Sequence, residues 1–324
     1  AIRPDGRIGP LSLGLWSDTQ IPGMARLAAA IKAEGAVAVV QLNHAGARSI
    51  PVEGGIRGAS PSGVAFRADV DPTVLSEAQI AEITGDFVAA ASRARAAGFD
   101  GVEIHGAHLY LLSQFLSPLT NRRTDRYGGG TAGRAQFAVE VVRAVRCAVG
   151  AAFLVFFRLN AIEFADGGQT SADAAAVAAS LEEAGADAID ASILSSGEWK
   201  EVEGKTVLAA RSALAKEQAR GTALPAAQNV KRGVRIPVIG VGKLGPSEAR
   251  TAIESGMVDL VAIGRQMIAD PGTIGKVLEG RDEEIVLCKE CWSCFACTGK
   301  GIPLVCSTNR NLTGEPLYTK GAKL

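Results

Sequence analysis

The stretch GVEIHGAHLY, residues 101–110, holds two of the chain's three histidines, His105 and His108, with Tyr110 two positions on. In GVEIH a period of two sets Glu103 and His105 on one strand face and Val102 and Ile104 on the other, so His105 ends the strand facing inward. A second imidazole three residues later and a phenol five later can direct two N–H donors and an O–H toward one small volume. Such a group can hold a carbonyl oxygen and supply a proton. The plainer alternative is a pair of satisfied core or loop histidines, with Tyr110 packing beside them.

Two other patterns carry chemistry. CWSCFACTGKGIPLVC gives C-x2-C-x2-C-x8-C over Cys291, Cys294, Cys297 and Cys306, a spacing that lets three thiolates of one tight loop bind a cubane cluster and a fourth close it. A structural zinc site is the main alternative, although zinc ligands more often come as two separated pairs. Cys288 stands at the same spacing before Cys291, which leaves a shifted set open. The crowding of five of the six cysteines near the C-terminus reads as ligands rather than as a disulfide framework. Further back, Gly242-Lys243 and Gly264-Arg265 end two strand-like runs. Glycine there lets backbone N–H groups approach an anion and the cation adds charge, but a glycine after a strand is also an ordinary turn.

The elements that must position these residues alternate. Short β-branched runs at 37–41, 101–105, 153–159, 188–191, 237–242 and 260–264 read as strands. Ala-rich segments at 77–97, 133–149, 172–184, 207–218 and 246–255 read as helices. Ser76 with Gln79 forms a capping-box pattern, and Gly98 and Gly185 stand where glycine ends a helix. Strand–helix alternation specifies an α/β fold with a parallel sheet, either doubly wound or most of a (β/α)8 barrel. In both, chemistry gathers at the C-terminal ends of strands, where QLNHAGAR, HGAHLY, RLN, GVGKL and GRQ all fall.

Composition narrows the classes. With 324 residues, 47% hydrophobic, the chain can bury a sizeable core. Thirty-four basic residues balance 34 acidic ones and no basic run occurs, so there is no electrostatic footprint for nucleic acid. Apolar runs fall far short of the ~20 residues that cross a bilayer, and no signal pattern opens the chain, so a cytoplasmic protein off the membrane is expected.

Taken together, these motifs resemble the old yellow enzyme family of flavin oxidoreductases, in particular its iron–sulfur branch with 2,4-dienoyl-CoA reductase and trimethylamine dehydrogenase. QLNHAGAR is similar to the family's QLxHxGR segment, residues 98–129 resemble its longest signature, and PVIGVGKL and DLVAIGRQMIADP resemble its phosphate loops. The resemblance implies a (β/α)8 TIM barrel that holds FMN at its mouth. Gln41 and Arg158 would contact the flavin ring, and Gly242, Lys243, Gly264 and Arg265 its phosphate. His105 and His108 would hold the substrate carbonyl, Tyr110 would donate the proton, and Cys291, Cys294, Cys297 and Cys306 would carry a [4Fe-4S] cluster.

The implied reaction is reduction of the C=C bond of an α,β-unsaturated carbonyl or enoyl/dienoyl-CoA substrate. Amine or C–H dehydrogenation, with electrons leaving through the cluster, is one alternative; histidine at position 105, where trimethylamine dehydrogenase has tyrosine, favours the reduction. The opening AIRPDGRIGPLSLGLWSD resembles the segment after the second barrel strand, so the barrel is expected as strands three to eight, over 1–284, with a cluster-binding segment over 285–324. That opening also raises a non-catalytic barrel or electron relay. NAD(P)H or a redox partner protein would then supply electrons, and the oligomeric state, homo-oligomer included, stays open.

Overall fold

The computed structural model of the protein describes residues 1–300 and 304–312, with the backbone alone for 298–300 and 310. The expected C-terminal segment therefore lies partly outside the described residues. Eight strands occur among them: β1 (Val39–Leu42), β2 (Gly101–Gly106), β3 (Leu154–Glu163), β4 (Ala188–Leu194), β5 (Ser196–Val202), β6 (Lys205–Arg211), β7 (Val238–Val241) and β8 (Leu260–Ala262). Six of them form one all-parallel sheet in the order β1-β2-β3-β4-β7-β8. These six are the runs expected from the sequence, and they are the strands of a (β/α)8-type barrel.

The crossover helices are α1 (Ile21–Ala33), α2 (Glu77–Ala96), α3 (Leu111–Leu116), α4 (Thr131–Val149), α5 (Ser171–Glu183), α6 (Leu224–Arg232) and α7 (Pro246–Glu254). Short helices α8 (Arg265–Ala269), α9 (Thr273–Leu278) and α10 (Ser293–Lys300) follow β8. The capping box at Ser76 forms as expected, with Ser76 N–H donating to Gln79 Oε1 at 2.9 Å, and Gly98 leaves the helix at φ 84°. Packing follows the apolar stripes: Ile80, Ile83 and Phe87 of α2 and Phe137 and Val141 of α4 are wholly buried, as are Val102 and Ile104 of β2. Fully burying one such side chain contributes roughly 1.5–3 kcal/mol. Phe115, Tyr127 and Phe137 meet edge to face, with centroids 4.9–6.4 Å apart.

One expected element is corrected. The helix at 207–218 does not form; Lys205–Arg211 is instead a strand paired antiparallel with β5. The cause is the two-residue loop Glu203-Gly204, whose φ values of 52° and 75° meet the left-handed demand of a tight hairpin turn. Helices α1 and α6 fall outside the segments the Ala-rich pattern marks. Among the described residues, no helix is long and apolar enough to cross a membrane.

Candidate active site

Sheet register brings the polar residues into rows. His105 lies opposite Arg158, and Arg158 opposite Asp190; one row further on, Asn160 lies opposite Ser192. Gly106 follows His105 because an added Cβ would fall 2.2 Å from the Phe157 ring. Past that glycine the chain turns sharply, and His108 and Leu109 take left-handed φ values of 64° and 53°. The turn folds His108 and Tyr110 back over the strand end. The His105 ring centroid then lies 5.0 Å from that of His108 and 5.1 Å from that of Tyr110.

The protonation states follow from burial. Burial, and then the Arg158 charge, hold the His105 imidazole well below 6.5. Burial likewise lowers His108, helped by His105, Arg158 and Arg48. Both rings are neutral at neutral pH. His105 Nδ1 accepts the Ala107 N–H at 3.3 Å, so its proton sits on Nε2. His108 Nε2 lies 2.7 Å from Ser192 Oγ. Burial pushes the Tyr110 phenol above its ordinary value, with the Arg48 guanidinium pulling the other way, so the phenol keeps its proton. In NMR spectra of 15N-histidine-labelled protein, neither His105 nor His108 should titrate near 6.5. An imidazolium signal from either at neutral pH would contradict this electrostatic picture.

A cleft beside these rings is lined by His108, Arg158, Ser192, Gly242, Gly264 and Arg265. Among the described residues Arg158 Nε is buried without a hydrogen-bond partner, and Asp190 Oδ2 stands 3.5 Å from it. Burial raises the Asp190 carboxyl, against the pull of Arg158 and with the push of Glu103. A Cβ added at Gly264 would meet nothing within 4 Å, and the Arg265 guanidinium lies 4.9 Å from the Trp292 ring centroid with no carboxylate partner among the described residues.

Two expected cofactor residues are occupied differently. Lys243 borders the cleft, but its Nζ donates to the carbonyls of Ala215, Lys216 and Gln218 and pairs with Glu290 at 2.9 Å. Gln41 donates to Glu103 on the neighbouring strand and is not among the residues lining the cleft. The third histidine, His44, is wholly buried, accepts the Gly46 N–H at 3.0 Å and is lowered to about 4, chiefly by burial.

Behind the cleft, Cys288, Cys291, Cys294 and Cys306 line one small hollow. Cys297 does not join them: it is buried, with its Sγ donating to the Ser293 carbonyl at 3.2 Å. Backbone N–H groups of Glu290 and Thr308 point at the sulfurs of Cys288 and Cys306, each at 3.4 Å. Burial raises the Cys291 thiol, but hydrogen bonds with Ser293 and Ser307 outweigh it and bring the thiol to about 7. Among the described residues no three His, Cys, Asp or Glu side chains are already gathered as a metal site, so the hollow is a loose group of thiols.

Sequence reasoning missed Ser192, Asp190 and Asn160. The signal available was the polar pair Asp190 and Ser192, two apart in the otherwise apolar AIDASIL, a strand whose residues are all buried.

The chain matches the NADH:flavin oxidoreductase / NADH oxidase family over residues 1–284. It is 37% identical to the NADH oxidase of Thermoanaerobacter brockii across 98% of this chain and 48% of that protein. It is 34% identical to the NADPH dehydrogenase of Halalkalibacterium halodurans across 84% of this chain and 75% of that protein. Among solved structures it superposes on 2-naphthoyl-CoA reductase in complex with 2-naphthoyl-CoA with a TM-score of 0.83 at 27% identity, over 95% of this chain and 48% of that one. Histamine dehydrogenase from Rhizobium sp. 4-9 gives a TM-score of 0.84 at 27% identity, over 96% and 44%. This chain thus spans about half the length of the NADH oxidase and of both solved structures. With the strand order, the cleft and the histidine pair already in place, the extent of these matches assigns the chain to the NADH:flavin oxidoreductase / NADH oxidase family.

Proposed function

We propose that this chain is the catalytic barrel of an oxidoreductase that uses FMN and a [4Fe-4S] cluster to reduce the C=C bond of an α,β-unsaturated carbonyl or acyl-CoA substrate. The observation that carries the proposal is the cluster of His105, His108 and Tyr110, of which His108 lines a cleft bordered by Arg158 and Arg265 and Tyr110 lines a neighbouring pocket with Arg48. The residues fit FMN on their own chemistry. Arg158 Nε is buried, makes no hydrogen bond among the described residues and stands 3.5 Å from Asp190, which leaves this guanidinium with donor capacity for an acceptor on a flavin ring. The open backbone at Gly264 and the Arg265 charge, which has no carboxylate partner among the described residues, match a phosphate.

Bound there, FMN supplies hydride-level redox chemistry. The protein's own part is polar. Neutral His105 and His108 hold the substrate's carbonyl oxygen, and N–H donors fixed there before reaction favour the charge that develops on that oxygen. Tyr110 delivers a proton to the α-carbon as the β-carbon is reduced. The names of the relatives support NADH or NADPH as the electron source, and a redox partner protein remains an alternative donor for this chain.

Four thiols around one hollow, two of them facing backbone N–H groups, fit an iron–sulfur cluster held by Cys288, Cys291, Cys294 and Cys306. A cluster supplies one-electron transfer. Anaerobically purified protein should contain flavin and about four irons per chain, and should reduce an enone under NAD(P)H. Colourless, zinc-loaded protein, or turnover with amines but not enones, would overturn the proposal.

A further inference from the structure

Two successive left-handed residues that carry side chains are unusual, because the Cβ crowds the following carbonyl in that conformation. Such a pair persists only where its surroundings over-determine it. At His108 and Leu109 all four backbone polar groups are engaged by side chains. Asn160 Oδ1 accepts the His108 N–H at 3.0 Å, and Arg48 donates to the His108 carbonyl at 2.7 Å. Ser113 Oγ accepts the Leu109 N–H at 3.1 Å, and Gln114 donates to the Leu109 carbonyl at 2.8 Å.

Asn160 has no freedom in this arrangement. Its Nδ2 donates to Glu163 Oε1 at 3.2 Å and to Ser113 Oγ at 3.3 Å, so its oxygen must face His108. Glu163 is itself fixed, accepting Ser117 Oγ at 2.7 Å and the Gln169 N–H at 3.0 Å. Turning the Asn160 amide over would set two donors against each other at His108. In the adjacent strand, Ser192 stands in register with Asn160 and holds the His108 ring at Nε2. One row of the sheet thus grips His108 at its amide and at its ring.

We propose that Asn160, oriented by Glu163, is a positioning residue that aims the His108 ring at the substrate's carbonyl oxygen, with Ser192 fixing the ring's rotation. This rests on the role given to His108 above. The test measures 2-cyclohexenone and FMN affinities in four variants, His108→Ala, Asn160→Leu, Ser192→Ala and the pair Asn160→Asp with Glu163→Gln, and follows the 15N shifts of the His108 ring in the three that keep it.

Asn160→Leu should weaken cyclohexenone binding about tenfold, the equivalent of one buried hydrogen bond. FMN affinity should stay unchanged and the His108 ring shifts should move. Ser192→Ala should also weaken enone binding and move the His108 ring shifts, and because Ser192 lines the cleft its FMN affinity is no part of the test. The paired variant reverses the polarity of the Asn160–Glu163 bond while keeping an acceptor for the His108 N–H, so it should recover most of the loss. If His108→Ala leaves enone binding intact, the reading of His108 itself fails. If His108→Ala weakens binding but Asn160→Leu does not, the positioning role alone fails. It also fails if enone and FMN affinity fall together in Asn160→Leu, or if the paired variant recovers nothing.

Discussion

In Tyr110→Phe, enone reduction is expected to slow by roughly 10²- to 10⁴-fold, the range a positioned general acid contributes, while reduction of the flavin by NAD(P)H stays at its original rate. The residue's surroundings set this split. Burial keeps the phenol protonated, its hydroxyl has no hydrogen-bond partner among the described residues, and its ring stands 5.1 Å from that of His105. Phenylalanine keeps the ring contact and removes only the proton. Substrate still docks on the histidines, so the loss should fall on kcat of the alkene step rather than on affinity. Stopped-flow traces of the two half-reactions measure this directly. Equal slowing of both would remove Tyr110 from the proton step.

The second large effect concerns iron. Cys288→Ser is expected to abolish cluster binding, whereas Cys297→Ser should retain about four irons per chain. The spacing from Cys291 to Cys306 selects Cys297, but the fold places the Cys297 sulfur against the Ser293 carbonyl and brings Cys288 to the hollow instead. Left-handed backbone at Glu290 and Trp292, φ 55° and 62°, curls the loop around Cys291 and sets the Glu290 N–H on the Cys288 sulfur. Iron analysis and visible absorbance of the two variants separate the sets. Iron retained in Cys288→Ser and lost in Cys297→Ser would restore the spacing rule.

What the sequence disclosed follows from the range of the interactions involved. The six parallel strands were legible because each is a short apolar run, and the helices α2, α4, α5 and α7 because each forms from an Ala-rich segment between two of those runs, with local capping boxes at Ser76 and Thr170 for α2 and α5. The histidine cluster was legible for the same reason, since residues 105, 108 and 110 belong to one strand end. The β5–β6 hairpin was misread because KTVLAAR suits a helix as well as a strand, and only the Glu203-Gly204 turn decides between them. Asn160 and Ser192 were out of reach because their role depends on the register between β3 and β4 and on a left-handed turn on β2's far side. The carbonyl contacts of Lys243 were out of reach of the sequence because its three partners lie 25–28 positions away in the chain.

Arg265, Cys288 and Glu290 border both the cleft and the thiol hollow, and Glu290 also pairs with Lys243 and with Arg220. A single wall therefore serves two compartments. Thermodynamic linkage makes any coupling across such a wall symmetrical: a ligand in the cleft that changed affinity in the hollow would see its own affinity changed by the same factor by an occupant of the hollow.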